Sequence, residues 1–256
     1  MKLKTILGMD IGGSGIKAAP VDAKTGKLLA EKHRIPTPEQ STPEAIASII
    51  TQHVRHFRWK GAIGCGFPAV VQNGIIRTAS NIDKSWIGTN GRKLFSRETG
   101  LPVWLLNDAD AAGLAEIKFG AGTGFKGSIL LVTVGTGIGS ALFINGKLFP
   151  NTELGHIFLK EQPEDAEYSA SDAARKRDAL EWDAWGERFN TYLTAMENLF
   201  WPEMIIIGGG ISKKMDNFRH KLTLRARVEP AILQNNAGIV GSAIAARIYL
   251  KNQLRV

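Results

Sequence analysis

Cysteine is almost absent: Cys65 is the single one among 256 residues. No internal disulfide can form and no multi-cysteine zinc site can be built. Lying in the apolar stretch 62–68, Cys65 reads as a small buried hydrophobe. Also missing is any apolar run approaching the roughly 20 residues needed to cross a bilayer. The N-terminal residues, with Lys2 and Lys4 ahead of Asp10, lack the apolar core of a signal peptide, so a cytoplasmic protein with no membrane partner is expected. There is no low-complexity tract and no Gly-Lys-Ser/Thr phosphate loop. A dinucleotide fingerprint is excluded too, because the first glycine turn leads into a strand and not a helix. No helix-turn-helix or RNA-recognition strand pair is visible, which argues against a nucleic-acid partner. The formal charge of +8 nevertheless implies attraction to polyanions, whether nucleic acid, anionic lipid or a polyphosphate. Apolar residues make up 44% of the chain, enough for a substantial core.

What is present is a recurring pattern of strand, glycine turn and onward segment. Residues 5–11 are an apolar strand, Gly12-Gly13-Ser14-Gly15 a turn, and residues 16–21 a second strand. Such glycines let backbone N–H groups approach a phosphate, with Ser14 adding a hydroxyl, Lys17 a charge, and Asp10 a carboxylate able to hold Mg2+ through water. A plain glycine-rich hairpin has the same residues. Residues 28–35 read as a third strand, 44–57 as an amphipathic helix, and 70–76 as a hairpin about Asn73-Gly74. The loop 77–86 mixes polar residues with Trp86; it suits a sugar, or simply docks a tryptophan.

The stretch VWLLNDADAA at residues 103–112 is a buried strand that delivers a carboxylate to a helix start. There Asp108 can accept a proton from a substrate hydroxyl, the role kinases give an aspartate; Asp108 or Asp110 can equally cap the helix. A second strand and turn follow at 128–140 with Gly135-Thr136-Gly137, and a third at 203–212 with Gly208-Gly209-Gly210, whose following helical segment can attract an anion or nucleotide. Between them, Glu153 and His156 share a loop. Residues 161–176 are charged and expected to be exposed, and 179–200 read as one long core helix. Two basic clusters, Arg175 to Arg177 and Lys213 to Arg227, are either solvated faces or polyanion tracks. Residues 237–250 form a last apolar helix.

In this order, GMDIGGSGIK at 8–17, LLNDADAAGLAE at 105–116, VGTGIGSA at 134–141, TELGH at 152–156 and IIIGGGIS at 205–212 resemble the ROK family of sugar kinases. More narrowly, RTASNIDKSWIGTN at 77–90, NTELGH, and QNNAGIVGSA at 234–243 are similar to its polyphosphate-using glucokinases. The resemblance implies an α/β, actin-like ATPase (ribonuclease H-like) fold of two domains, 1–107 and 108–256, with an interdomain cleft. The last helix, 238–252, can return to the first domain. It further implies transfer of a phosphoryl group from inorganic polyphosphate, and also from ATP, to the 6-hydroxyl of glucose. Asp108 would be the base, with Asn81, Asn107, Glu153 and His156 on the sugar. Asp10, Gly12, Gly13, Ser14, Lys17, Thr136 and Gly137 would lie at the donor phosphates, with Gly208, Gly209 and Gly210 at a nucleotide if ATP is used. Mg2+ is the implied cofactor, held by Asp10 through water, and a homodimer the implied assembly. Many family members carry a cysteine cluster for structural zinc, which Cys65 alone cannot supply; His156 is then free for the sugar. An ATP-dependent glucokinase, a mannose kinase, or a non-catalytic sugar sensor are the alternatives.

Overall fold

The computed structural model describes residues 4–80, 82–160 and 162–253. The chain divides into two compact units, residues 1–115 with 236–256, and residues 116–235. Compared with the expected boundary at 107, residues 108–115 belong to the first unit, because the start of the helix after Asn107 packs beside the last helix of the chain. There Ala111 O closes against Gly241, a contact only glycine permits.

In chain order the first unit contains β1 (Thr5–Gly12), β2 (Gly15–Asp22), β3 (His33–Ile35), α1 (Pro43–His56) and β4 (Ile63–Phe67). The short pair β5 (Val71–Gln72) and β6 (Ile75–Ile76), then α2 (Gly91–Thr99), β7 (Val103–Asn107) and the start of α3 (Asp108–Phe119) follow. The main sheet has the order β3-β2-β1-β4-β7, antiparallel through the first three strands and parallel from β1 to β7. Its core gathers Leu7, Met9 and Ile11 of β1 with Ile46 and Ile50 of α1 and Cys65 and Phe67 of β4. The Cys65 thiol is buried, which pushes its pKa up and leaves it an inert hydrophobe.

Two expectations are corrected here. The strand anticipated over 28–35 pairs only at His33–Ile35, apart from an isolated bridge from Leu28 to Val21; residues 29–32 between them are exposed. Trp86 is not a sugar wall: it is fully buried, its indole donates to Ser41 O at 2.8 Å, and it packs between Phe67 and Phe95.

The second unit contains β8 (Ser128–Val134), β9 (Ile138–Ile144), β10 (Lys147–Phe149), α4 (Ala166–Ala170) and α5 (Asp172–Arg177), then α6 (Trp182–Phe200), β11 (Met204–Gly209) and β12 (Arg227–Pro230). Its sheet, β10-β9-β8-β11-β12, repeats the first one's pattern of two antiparallel pairings followed by two parallel ones. The α6 face bearing Trp185, Phe189, Tyr192, Leu193 and Met196 is buried on this sheet. The helix starts at Trp182, later than expected, because Ala179 takes a left-handed φ of 49°. Residues 161–176 are not simply exposed. Ala166, Ala170 and Ala174 recur at helical spacing and are buried, and the Trp185 indole donates to Ala170 O at 3.2 Å and Ser171 O at 3.1 Å. The segment after Gly210 is a 3-10 helix (Gly210–Asn217), not an α-helix.

The final helix, α7 (Ala237–Gln253), lies on β1, β4 and β7 of the first unit. Gly8 and Gly64 make this possible: a Cβ on either would collide with a carbonyl of α7, that of Ile239 or Ser242. Among the described residues, no helix is long and apolar enough to cross a membrane.

Candidate active site

In the first unit the parallel strands β1, β4 and β7 run side by side, and the register aligns Asp10 with Gly66 and Gly66 with Leu106. Asp10 and the Asn107-Asp108 step therefore lie at the same carboxyl ends, two strand spacings or roughly 10 Å apart, where open α/β sheets place ligands. Asn107 is buried and does the capping: its Oδ1 accepts from Asp110 N at 3.0 Å, while its Nδ2 donates to Ala69 O at 3.2 Å. Asp110 is also buried, whereas Asp108 is half-buried, its Oδ1 accepting from Ala109 N at 2.8 Å. Of the two aspartates that could act as base or cap, Asp108 is the one with an open side, and Asn107 has taken over the cap.

The β1–β2 hairpin turns at Gly13-Ser14, with Gly12 paired to Gly15. A Cβ at Gly13 would meet nothing within 4 Å, so the turn is open to a ligand. Lys17 lies across from Asp10, Nζ to Oδ2 at 3.4 Å, both half-buried. One strand further, Arg34 pairs in register with Lys17, and its Nη2 donates to Ser14 O at 2.6 Å. Arg34 was absent from the sequence-predicted set, since nothing local marks it as a hairpin residue. Asp10 also touches the start of α7, where a Cβ on Gly238 would sit 2.6 Å from its Oδ1. Among the described residues no cluster of three or more His, Cys, Asp or Glu is arranged to hold a metal by itself. A lone carboxylate beside open glycines does fit Mg2+, which keeps most of its waters and takes its remaining ligands from donor phosphates.

In the second unit the pairing of Gly208 with Thr133 and Gly209 with Val134 sets two glycine turns side by side at the carboxyl ends of β8 and β11. Gly209 has φ 75° and packs directly on the Val134 backbone, while Gly210 faces open space. Thr136 is exposed. Gly137 is covered by the carboxylate of Glu167, whose Oε2 accepts from Ile138 N at 2.7 Å. A phosphate approaching Gly137 therefore meets an acidic neighbour that the sequence did not reveal; its signal was the buried Ala166 and Ala170 either side of it.

The loop bearing Glu153 and His156 is pinned to β9 by Ser140, whose Oγ donates to Thr152 O at 2.8 Å and accepts from Leu154 N at 3.0 Å. His156 Nδ1 lies 2.7 Å from Asp165 Oδ2, and its Nε2 is 3.8 Å from Glu153 Oε2. The Asp165 bond, reinforced by the charges of Glu167, Asp165 and Glu153, raises the His156 pKa. Burial raises that of Glu153, with Glu167 pushing the same way and His156 opposing. A carboxylate and an imidazole side by side combine acceptor and donor atoms, the mixture a polyol needs.

The basic clusters are partly paired with carboxylates. Arg175 and Lys176 share Asp172 at 3.0 and 2.6 Å, and Arg177 binds Asp178 at 2.8 Å. In the other cluster Lys221 pairs with Asp183 and Glu187, Arg225 with Glu197, and Arg227 with Glu229. Asp172 serves two cations, however, and among the described residues Lys213, Lys214 and Arg219 have no carboxylate partner, so the ion pairs weaken the polyanion-track reading only in part. The expected sugar contact Asn81 falls outside the described residues.

Comparison with known proteins places these motifs in context. The model of the ROK family matches residues 6–171. The chain is 47% identical over 240 residues to a polyphosphate glucokinase of Mycobacterium tuberculosis, covering 93% of this chain and 90% of that protein. The crystal structure of an inorganic polyphosphate/ATP-glucomannokinase from Arthrobacter sp. strain KM superposes with a TM-score of 0.91 at 46% identity, covering 96% of this chain and 99% of that one. A ROK family glucokinase from Streptomyces griseus, solved with glucose and AMPPNP, gives a TM-score of 0.80 at 26% identity, covering 95% of this chain and 99% of that one. With its motifs in order, the duplicated sheet topology and these likenesses, the chain belongs to the ROK family.

Proposed function

We propose that the protein transfers the terminal phosphoryl group of inorganic polyphosphate, and of ATP, to the 6-hydroxyl of glucose. The observation that carries the reading is the division of labour at Asn107-Asp108. The neighbour caps the helix, leaving a half-buried carboxylate at the carboxyl end of β7, in the same unit as an open glycine hairpin. The likeness to the mycobacterial polyphosphate glucokinase and the Arthrobacter glucomannokinase supports both donors, and the latter supports mannose as a second acceptor.

In this mechanism Asp108 accepts the proton of the sugar hydroxyl as its oxygen forms the new bond to phosphorus. The bridging P–O bond breaks, and its electrons leave with the shortened polyphosphate or ADP. Gly12, Gly13 and Ser14 offer backbone and hydroxyl donors to the donor phosphates, and Lys17 offsets their charge. In the second unit Thr136 offers a hydroxyl to phosphate, whereas the Glu167 carboxylate limits how closely an anion approaches Gly137. Gly208, Gly209 and Gly210 take the nucleotide when ATP is the donor. In the second unit Glu153 and His156 offer a carboxylate and an imidazole to sugar hydroxyls; in the first, Asn107 offers the amide hydrogen its own contacts leave over. Asp10 would hold Mg2+ through water, and that ion would supply charge neutralisation at the transferring phosphoryl group.

Glucose 6-phosphate formation measured with polyphosphate alone, with ATP alone, and with each after chelation of divalent metal tests the reading. Product from both donors, lost on chelation, is expected. Product from ATP only would reduce the assignment to an ATP-dependent glucokinase.

A further inference from the structure

We propose that Arg34 and Lys32 form a second donor subsite, which holds the phosphates of a long polyphosphate that lie beyond those ATP possesses. The inference rests on the phosphotransferase reading above and moves the polyanion track from the clusters suggested by sequence to the edge of the first sheet.

The register places Asp10, Lys17 and Arg34 directly opposite one another on β1, β2 and β3. Cross-strand partners point to one face, so the three form a row roughly 10 Å long across the base of the glycine hairpin. At one end of the row is a carboxylate suited to the metal; at the other is an exposed guanidinium. Arg34 spends one N–H on Ser14 O and lies over Gly15, where an added Cβ would sit 2.6 Å from its Nε. Among the described residues it has no carboxylate partner, and its remaining donors form the planar fork that matches phosphate oxygens.

Lys32, two residues earlier on the exposed segment, reaches Asn236 Oδ1 at 2.8 Å. That places it at the entry to α7, two residues before the Gly238 that abuts Asp10. That partner, a side-chain amide, is neutral. Arg175, Lys176, Arg177, Lys221, Arg225 and Arg227 are each paired with a carboxylate. Lys213, Lys214 and Arg219 of the second unit are not, among the described residues, so it is the register with Asp10 and Lys17 at the glycine hairpin that singles out Arg34. An ion already neutralised gains little from a polyanion, whereas cations beside neutral acceptors keep their full charge for one.

Polyphosphate repeats its charge past the third phosphate, whereas ATP continues as ribose and adenine, so this row can separate the two donors. The test uses Arg34→Gln, which removes the charge while keeping a polar side chain, with Lys32→Gln and the double variant. Steady-state kinetics are run with ATP, tripolyphosphate and a long polyphosphate, alongside salt-dependent binding of fluorescently labelled long polyphosphate. The expected result is a KM for long polyphosphate raised about fivefold by Arg34→Gln, on the scale of one charge-assisted contact. The penalty should grow with donor length, and the log–log salt slope of binding should shrink by about 0.7 per lost contact. An equal KM increase for ATP and long polyphosphate, or an unchanged salt slope, overturns the proposal. Wild-type protein that makes no glucose 6-phosphate from any polyphosphate would instead sink the parent reading, a distinct outcome.

Discussion

Acid should destabilise the first unit through a histidine that has nothing to do with sugar. His53 on α1 is fully buried, its Nδ1 lying 3.0 Å from His33 Nδ1 on β3, with its Nε2 unpartnered. His56 stacks on His33 at 3.7 Å, so the groups facing His53 are two more imidazoles and the Ile16 carbonyl, and no carboxylate is among them. Burial, reinforced by His33 and His56, lowers the His53 pKa from 6.5 to about 4. The folded state therefore binds its proton later than the unfolded chain as pH falls. Stability is intact above the unfolded pKa and is lost progressively between pH 6.5 and about 4. Integrating that difference from pH 7.5 to pH 5 gives a loss of about 2 kcal/mol from this one group. The lowered His33 pKa, caused by burial and by His56, works in the same direction. Urea unfolding followed by circular dichroism at pH 7.5, 6 and 5 measures this, in wild type and in His53→Gln. The variant lowers stability at every pH, but its dependence on pH should be flatter by about that amount. Parallel pH profiles for the two proteins would refute the argument. Because β3 carries both His33 and Arg34, loss of polyphosphate use should precede global unfolding on acidification.

Three further outcomes follow from single contacts. Asp108→Asn should lower kcat by roughly 100- to 10,000-fold while glucose affinity by calorimetry stays within a few-fold; retained turnover would exclude Asp108 as base. Gly64→Ala forces a Cβ into the Ser242 carbonyl and should lift α7 from the sheet, costing at least about 1–3 kcal/mol in urea unfolding, whereas Ala at the open Gly13 should cost far less. Lys176→Ala removes a cation that shares Asp172 with Arg175 and should change the KM for long polyphosphate less than about twofold; a larger, donor-specific effect would restore that cluster as a track.

Much of this protein was legible in its sequence because the relevant physics is local. Strand, glycine turn and strand follow from alternating apolar runs and from residues that leave the backbone open, so the hairpins at Gly12-Gly13-Ser14 and Gly135-Thr136-Gly137 were visible without coordinates. The same holds for the Asn107-Asp108 step and for the face of α6 that carries Trp185, Phe189 and Leu193. The sequence left open which of Asp108 and Asp110 was the cap, and the fold answered that Asn107 is. Only tertiary structure decided where charge is spent. Asp183 and Glu187 meet Lys221, and Glu197 meets Arg225, across dozens of residues of chain, turning part of an apparent basic track into ion pairs. Glu167 reaches Gly137 because two small helices fold under α6, and Arg34 reaches Lys17 because β3 closes on β2. Composition sets how much charge a chain carries; pairing depends on distances that exist only after the sheets have formed.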